Sequence, residues 1–282
     1  MIDLHTHSVF SDGTETPAAL VQQADALGLT ALALTDHDTL DGLESFLACQ
    51  STTSVRLVPG IELSCRFLDM ELHILGLFLE PTDLQLQARV VGLRNRRMER
   101  NLAILARLDA LGIHLDWKDV ASSATTDLVS RAHIARTLVR LGHVHHVQEA
   151  FQRFLGEGAA AYVPFRELTP GEAARWIREA GGVPVVAHPG RTAHRHMPWD
   201  DAMYELKRLG LGGLEAYYSD YGPTEERYFV GLAQRLGMAL SGGSDYHGEV
   251  KPGISLGRGK GELAVPDEIL DGLELQRGLR PY

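Results

Sequence analysis

The spacing His5-Thr6-His7, followed by Asp12, puts three metal-competent groups at the end of a short apolar start containing Ile2 and Leu4. Residues i and i+2 of an extended chain point to the same side, so the two imidazoles aim at one point just past the strand. Imidazole and carboxylate at such spacing suit a divalent transition metal. Taken alone, the pair reads equally well as two surface histidines beside a strand, and recurrence decides between the readings. His37 lies between Asp36 and Asp38 at the end of the apolar run 29–35, and Glu62 closes the run 55–63. His73 lies in the alternating run 71–79, and His188 follows the run 183–187. Asp245 and His247, again at i and i+2, follow Gly242-Gly243, which let the backbone turn sharply. The collected set is six imidazoles and three carboxylates. At about four to six ligands per ion, with water filling gaps and one carboxylate bridging, it suits two or three divalent ions. Thirteen histidines against two cysteines leave nitrogen and oxygen donors, which Mn2+, Fe2+ and Zn2+ all accept.

Strands must aim these groups, and the chain supplies about seven apolar runs for them. Thr16-Pro17 before AALVQQADALG predicts a helix with Thr16 as N-cap, Pro17 in the first turn and Gly28 past the end. Strand and helix signals alternate through residue 82, with a short helix at 40–48. Four successive strands each carry a ligand type, the phase expected where sites gather at the carboxyl ends of parallel strands. From Asp83 the pattern is helical, with 84–111 as one long stretch and no strand period through Leu155. Residues 83–157 thus read as an all-helical insertion between the α/β segments 1–82 and 158–282. The later segment shows helices at 170–180, 199–209, 223–236 and 266–276. A strand at 211–217 carries Glu215, read as support for the ligands or the core, and 238–241 is the last strand.

The insertion holds the densest basic cluster, Arg94, Arg96, Arg97 and Arg100, with Arg131, Arg136 and Arg140 further on. These are solvated helix faces or, in part, a place that steers a phosphate. His143, His145 and His146 read as exposed helix-turn residues. The formal net charge of −10 argues against a protein that grips nucleic acid through a broad basic surface. With 44% hydrophobic and 23% charged residues, the balance is that of a folded enzyme. No apolar run approaches the ~18 residues of a membrane span, and no signal-peptide pattern is present. The expectation is a cytoplasmic protein with no membrane association, no evident obligate protein partner, and reduced thiols at Cys49 and Cys65.

The motifs DLHTHSVFSDG, LTDHD, GIE, AHP and GGSDYH resemble those of the PHP family, named for polymerase and histidinol phosphatase. The resemblance implies a distorted (β/α)7 barrel holding three metals. On that pattern His5, His7, Glu62 and Asp245 hold the first ion. Glu62 bridges to a second, which also takes His73 and His188, while Asp12, His37 and His247 hold the third. Mn2+ is the first expectation, with Fe2+ or Zn2+ as alternatives. The helical insertion, Ser130-Arg131-Ala132-His133-Ile134-Ala135 and the run GGVPVVAHPGR look like the branch acting on 3′,5′-nucleoside bisphosphates.

The activity implied is removal of the 3′-phosphate to leave a 5′-monophosphate, with short oligoribonucleotides attacked from the 5′ end as an extension. The substrate is then a small nucleotide or short oligonucleotide, met by Asp12, His37, Ser130, Arg131, His133 and His247. A metal-bound hydroxide bridged near Glu62 would attack phosphorus in line. Arg131 is the candidate phosphate anchor, because a guanidinium fork matches phosphate. His133 joins it only if the segment is a turn or a helix start, since i and i+2 share no helix face. His194 and His196 are candidate proton donors to the leaving oxygen, or part of a loop with another role. The rivals are a histidinol-phosphate phosphatase, a polymerase-type exonuclease and a PHP module that has lost catalysis. No ligand position is missing, which speaks against the last.

Overall fold

The computed structural model describes residues 1–68, 70–121, 129–191 and 198–277. In chain order the first elements are β1 (Ile2–Asp3), α1 (Pro17–Ala26), β2 (Ala31–Leu34), α2 (Leu43–Ala48), β3 (Arg56–Phe67) and β4 (Met70–Leu77). Next come α3 (Leu84–Ala110), α4 (Trp117–Ala121), α5 (Arg131–Arg140) and α6 (Val147–Ala150). The chain then forms α7 (Pro170–Glu179), β5 (Val183–Val186), α8 (Trp199–Arg208), β6 (Gly213–Tyr218), α9 (Pro223–Leu236), β7 (Ala239–Gly243) and α10 (Ile269–Arg277). The helix ends follow local chemistry. Thr16 Oγ1 accepts the Ala19 N–H at the start of α1, and Thr169 and Glu172 cap one another at α7. Gly237, at φ +59°, closes α9 in the left-handed conformation that a glycine adopts without strain.

All seven strands join one sheet in the order β1 to β7. The pairs β1–β2, β2–β3, β5–β6 and β6–β7 are parallel, whereas β3–β4 and β4–β5 are antiparallel. The edges approach each other where Leu4 N–H donates to Gly242 O at 3.1 Å and Thr6 bridges Tyr246. The result is a mixed α/β fold around a nearly closed seven-strand barrel.

Two sequence readings change here. The third strand runs on past Leu63 to Phe67 and returns directly into β4. Parallel strands need a crossover of a dozen or more residues, so this tight connection forces an antiparallel pair. His73 therefore does not sit at the carboxyl end of a parallel strand. It lies opposite Ser64, two residues past Glu62, and reaches the same rim from the start of its own strand.

The alternation of β2 shows how the barrel is filled. Ala31 and Ala33 pack inward with Ile2, Leu4, Val58 and Leu75. Leu32 and Leu34 face outward onto Leu20, Val21 and Ala24 of α1 and Phe46 of α2. Burial on both faces explains the unbroken apolar run, and each buried leucine stabilises by about 1.5–3 kcal/mol.

The chain divides into two compact units, Met1–Ala88 with Glu167–Tyr282 forming one and Arg89–Arg166 the other. The second unit has its own core, including Ile104, Leu108, Val120, Ile134, Leu138 and Leu155, and no strand among its described residues. No described helix is long and apolar enough to cross a membrane.

Gly243 ends β7 where the barrel closes on β1, and a Cβ there would lie 2.5 Å from both the amide nitrogen and the Cβ of His5. Backbone cannot yield as a flexible side chain can. Gly243→Ala is expected to cost about 1–3 kcal/mol, read as a lowered midpoint in denaturant unfolding.

Candidate metal centre

The segments that carry the ligand-type residues are tied down by three buried carboxylates. Asp3, in β1, accepts from the His5 amide at 3.3 Å, the Ser244 amide at 2.9 Å, the Ser244 hydroxyl at 2.5 Å and the Gly257 amide at 2.8 Å. One side chain thereby fastens the start of the His5–His7 segment to the turn before Asp245. Asp36 accepts from the amide and hydroxyl of Ser8, both at 2.7 Å, and from Ser11 Oγ at 2.5 Å. That fixes the loop leading to Asp12. Glu215, in β6, accepts from the His188 amide at 2.6 Å and meets His5 Nδ1 at 2.9 Å. With Nδ1 held there, His5 presents Nε2 to the cluster. Asp38, His188 and Asp245 hold φ of +47°, +26° and +57°, a left-handed conformation that costs a non-glycine residue about 1–3 kcal/mol and gathers at functional sites.

Glu62 stands at the middle. Its Oε1 lies 2.9 Å from both His73 Nδ1 and His188 Nε2. Its Oε2 lies 3.1 Å from His37 Nδ1 and 3.3 Å from the Nε2 atoms of both His5 and His7. Asp245 Oδ1 lies 3.4 Å from His7 Nε2, and Asp12 Oδ1 lies 3.1 Å from His247 Nε2. Four overlapping groups result, each with ligand atoms within 4.8 Å of one another. They are His7, Asp12, His37 and His247; His5, His7 and Asp245; His5, Glu62 and His188; and His37, Glu62 and His73. Every one of the nine residues singled out in the sequence belongs to at least one group.

Three of the facing atoms, His5 Nε2, His7 Nε2 and Glu62 Oε2, are buried without a hydrogen-bond partner. An unsatisfied buried polar atom costs about 1–3 kcal/mol. A shared cation, met by neutral imidazoles and a carboxylate, would satisfy all three, so the donor set fits divalent metal ions.

Burial works against charge throughout the cluster, and the balance differs at each group. At His7 the nearby carboxylates of Asp245 and Glu62 outweigh desolvation and hold the imidazole at about 9. At His73 the charge of Glu62 does so and lifts it to about 10. His37 goes the other way, pushed down to about 3 by burial and by the neighbouring His7 and His73. Glu62 and Asp245 are held well below the carboxylate range, because the surrounding imidazoles overcome the cost of burying a negative charge.

Ser130, Arg131 and His133 belong to the second unit. Arg131 is the first residue of α5, so the segment is a helix start, and the Ser130 amide donates to His133 Nδ1 at 3.0 Å. The Arg131 guanidinium donates to Leu155 O at 3.3 Å and lies over the Phe151 ring. His194 and His196 lie outside the described residues. Sequence reasoning gave no role to Asp3, Asp36, Arg191, Tyr218 or Lys251, although Asp36 stands beside His37 and Arg191 closes the run GGVPVVAHPGR. For Asp3 the available signal was an acid inside an apolar strand. The roles of the other four are recognisable only from their contacts in the fold.

Raised imidazoles at His7 and His73 stabilise the metal-free fold below about pH 6.5, and that contribution is lost as pH rises through about 9 and 10. Metal ligation needs neutral imidazole and so has the opposite sign. Titrating Mn2+ or Zn2+ into metal-free protein at pH 7 in weak buffer is expected to release protons, with apparent affinity climbing as pH rises towards 10. Glu215→Gln is expected to weaken metal binding about 10–100-fold in the same titration, because His5 loses its charged partner.

Residues 3–162, more than half of the 282, match the family model of the PHP domain. A 3′,5′-nucleoside bisphosphate phosphatase of Chromobacterium violaceum is 32% identical over 262 residues, spanning 91% of this chain and 90% of that protein. A 5′-3′ exoribonuclease of Haemophilus influenzae is 32% identical over 247 residues, 87% of this chain and 89% of its own. Among solved structures, a chain from Bifidobacterium adolescentis assigned as a metal-dependent phosphoesterase superposes with a TM-score of 0.74. That pair is 30% identical, and the match covers 99% of this chain and 96% of the other. The barrel, the ligand cluster at its rim and these matches together establish that the chain belongs to the PHP family.

Proposed function

We propose that this protein is a metal-dependent phosphatase that removes the 3′-phosphate of a nucleoside 3′,5′-bisphosphate and leaves the 5′-monophosphate. The observation that carries the reading is the set of buried histidine and carboxylate atoms without hydrogen-bond partners that meet at Glu62. The phosphatase and exoribonuclease relatives support hydrolysis of a nucleotide phosphoester as the reaction. The exoribonuclease relative also favours a second substrate, a short oligoribonucleotide taken from its 5′ end.

A phosphomonoester is dianionic and repels an incoming nucleophile. Divalent ions in this site would supply Lewis acidity that neutralises the phosphate and lets water react near neutral pH. We assign His5, His7, Glu62 and Asp245 to one ion, Glu62 with His73 and His188 to a second, and Asp12, His37 and His247 to a third, with Mn2+ as the native metal. Glu62 suits the shared position because its two oxygens face different imidazoles. Asp12 and His37 are among the more exposed members of the set, which makes them the side from which phosphate enters. His247 is held in orientation there by the Asp245 carbonyl, 2.8 Å from Nδ1, which leaves Nε2, 3.1 Å from Asp12 Oδ1, as its ligand atom. Arg131 is assigned as a phosphate anchor, with Ser130 and His133 beside it in sequence, on the strength of the motif that contains them. A nucleotide substrate also supports a cytoplasmic setting.

A phosphate-release screen with added Mn2+ tests the reading. The bisphosphate is expected to be hydrolysed in preference to histidinol phosphate, and chelation is expected to abolish the activity. Asp245→Asn is expected to lower kcat/KM by at least about 100-fold. Arg131→Ala should raise KM about tenfold, the worth of one charge-assisted hydrogen bond. Equal turnover of all phosphomonoesters would remove the bisphosphate assignment.

A further inference from the structure

Asp245 faces two ways. Its Oδ1 points to the histidine cluster, 3.4 Å from His7 Nε2. Its Oδ2 accepts from the Lys251 ammonium at 2.7 Å, the Tyr218 hydroxyl at 2.8 Å and the Arg191 guanidinium at 3.2 Å. A cleft of about 230 Å³ opens on this second side, lined by Arg191, Tyr218, Asp220, Lys251, Ile254 and Lys260 among others. It begins one carboxylate away from the candidate metal centre.

The charge of this cleft is unlike that of the chain. Among the described residues, three cations face two carboxylates in its wall, whereas the whole chain carries a formal charge of −10. Holding Asp245 ionised does not require so much. A guanidinium has five N–H donors and an ammonium three, more than one carboxylate oxygen can accept. Lys260 does not serve Asp245 at all, since its ammonium pairs with Asp220 at 2.6 Å. That pair is largely exposed, so it is worth little and exchanges readily for another anion. Tyr218 adds a buried ring, and Ile254 an apolar wall suited to a sugar face.

We propose that this cleft is the subsite for the phosphate that is not cleaved, a phosphate joined through a sugar to the reacting one. The inference rests on the function proposed above and deepens it. A bisphosphorylated substrate brings a second anion to an acidic body, and that anion needs its own local cations to be accepted. Arg191, with its planar fork, and the two lysines, as point charges, provide them beside the reacting centre.

The test compares binding of a nucleoside 5′-monophosphate with that of the parent nucleoside by calorimetry, in wild type, Lys260→Gln and Lys260→Glu. Wild type is expected to favour the monophosphate by at least about tenfold, the worth of one charge-assisted hydrogen bond. Lys260→Gln should lose most of that preference, and Lys260→Glu should abolish it. In parallel, the ratio of kcat/KM for the 3′,5′-bisphosphate to that for a 3′-monophosphate should fall by a similar factor. An unchanged preference in both variants, or none in wild type, overturns the subsite. Lysine-dependent binding of the 5′-monophosphate by a wild type that releases no phosphate from bisphosphates would uphold the subsite and overturn the proposed reaction instead.

Discussion

The structure depends on an ionised carboxylate, Glu62, buried among five imidazoles. A lone charge at that depth would cost several kcal/mol and would be avoided. It is tolerated because positive or polarisable nitrogens surround both oxygens, and because those nitrogens come from four separate segments of chain. Three of these segments end at one rim of the barrel, and the antiparallel strand with His73 starts from it. Were one strand to slip by a single residue, its imidazole would turn to the opposite face and leave Glu62 short of a partner.

Holding such a register needs ties stronger than the ladder hydrogen bonds at the ends of short strands. β1 has only two residues and β2 only four. Asp3, Asp36 and Glu215 supply the ties, each accepting from backbone or hydroxyl donors on segments far apart in sequence. The close approach of Gly243 to His5 does the same work sterically. Ties of this kind are made by protein groups alone, and such fixed side chains reduce the ordering cost of binding.

Charge is distributed to match. The chain carries a formal charge of −10, whereas imidazoles gather at the barrel rim and Arg191, Lys251 and Lys260 line the cleft behind Asp245. Asp245 links the two roles through its two oxygens, one turned to the imidazoles and the other to Arg191, Lys251 and Tyr218.

The chain alone determined the kind of chemistry. Two H-x-H-like spacings and about seven apolar runs, most of them delivering a ligand type, are local features, set by residue identity and by the two-residue period of a strand. Helix ends such as Thr16-Pro17 and Leu236-Gly237 were legible for the same reason, since capping depends on neighbours in sequence. Tertiary structure alone decided the direction of β4, which turned on the tightness of one connection rather than on any apolar pattern. It also decided which acids serve as ties and which cations meet at Asp245. Asp3 and Gly257, or Arg191 and Lys251, lie far apart in the chain. Only the closing of the barrel gives such pairs a distance, and periodicity carries no record of it.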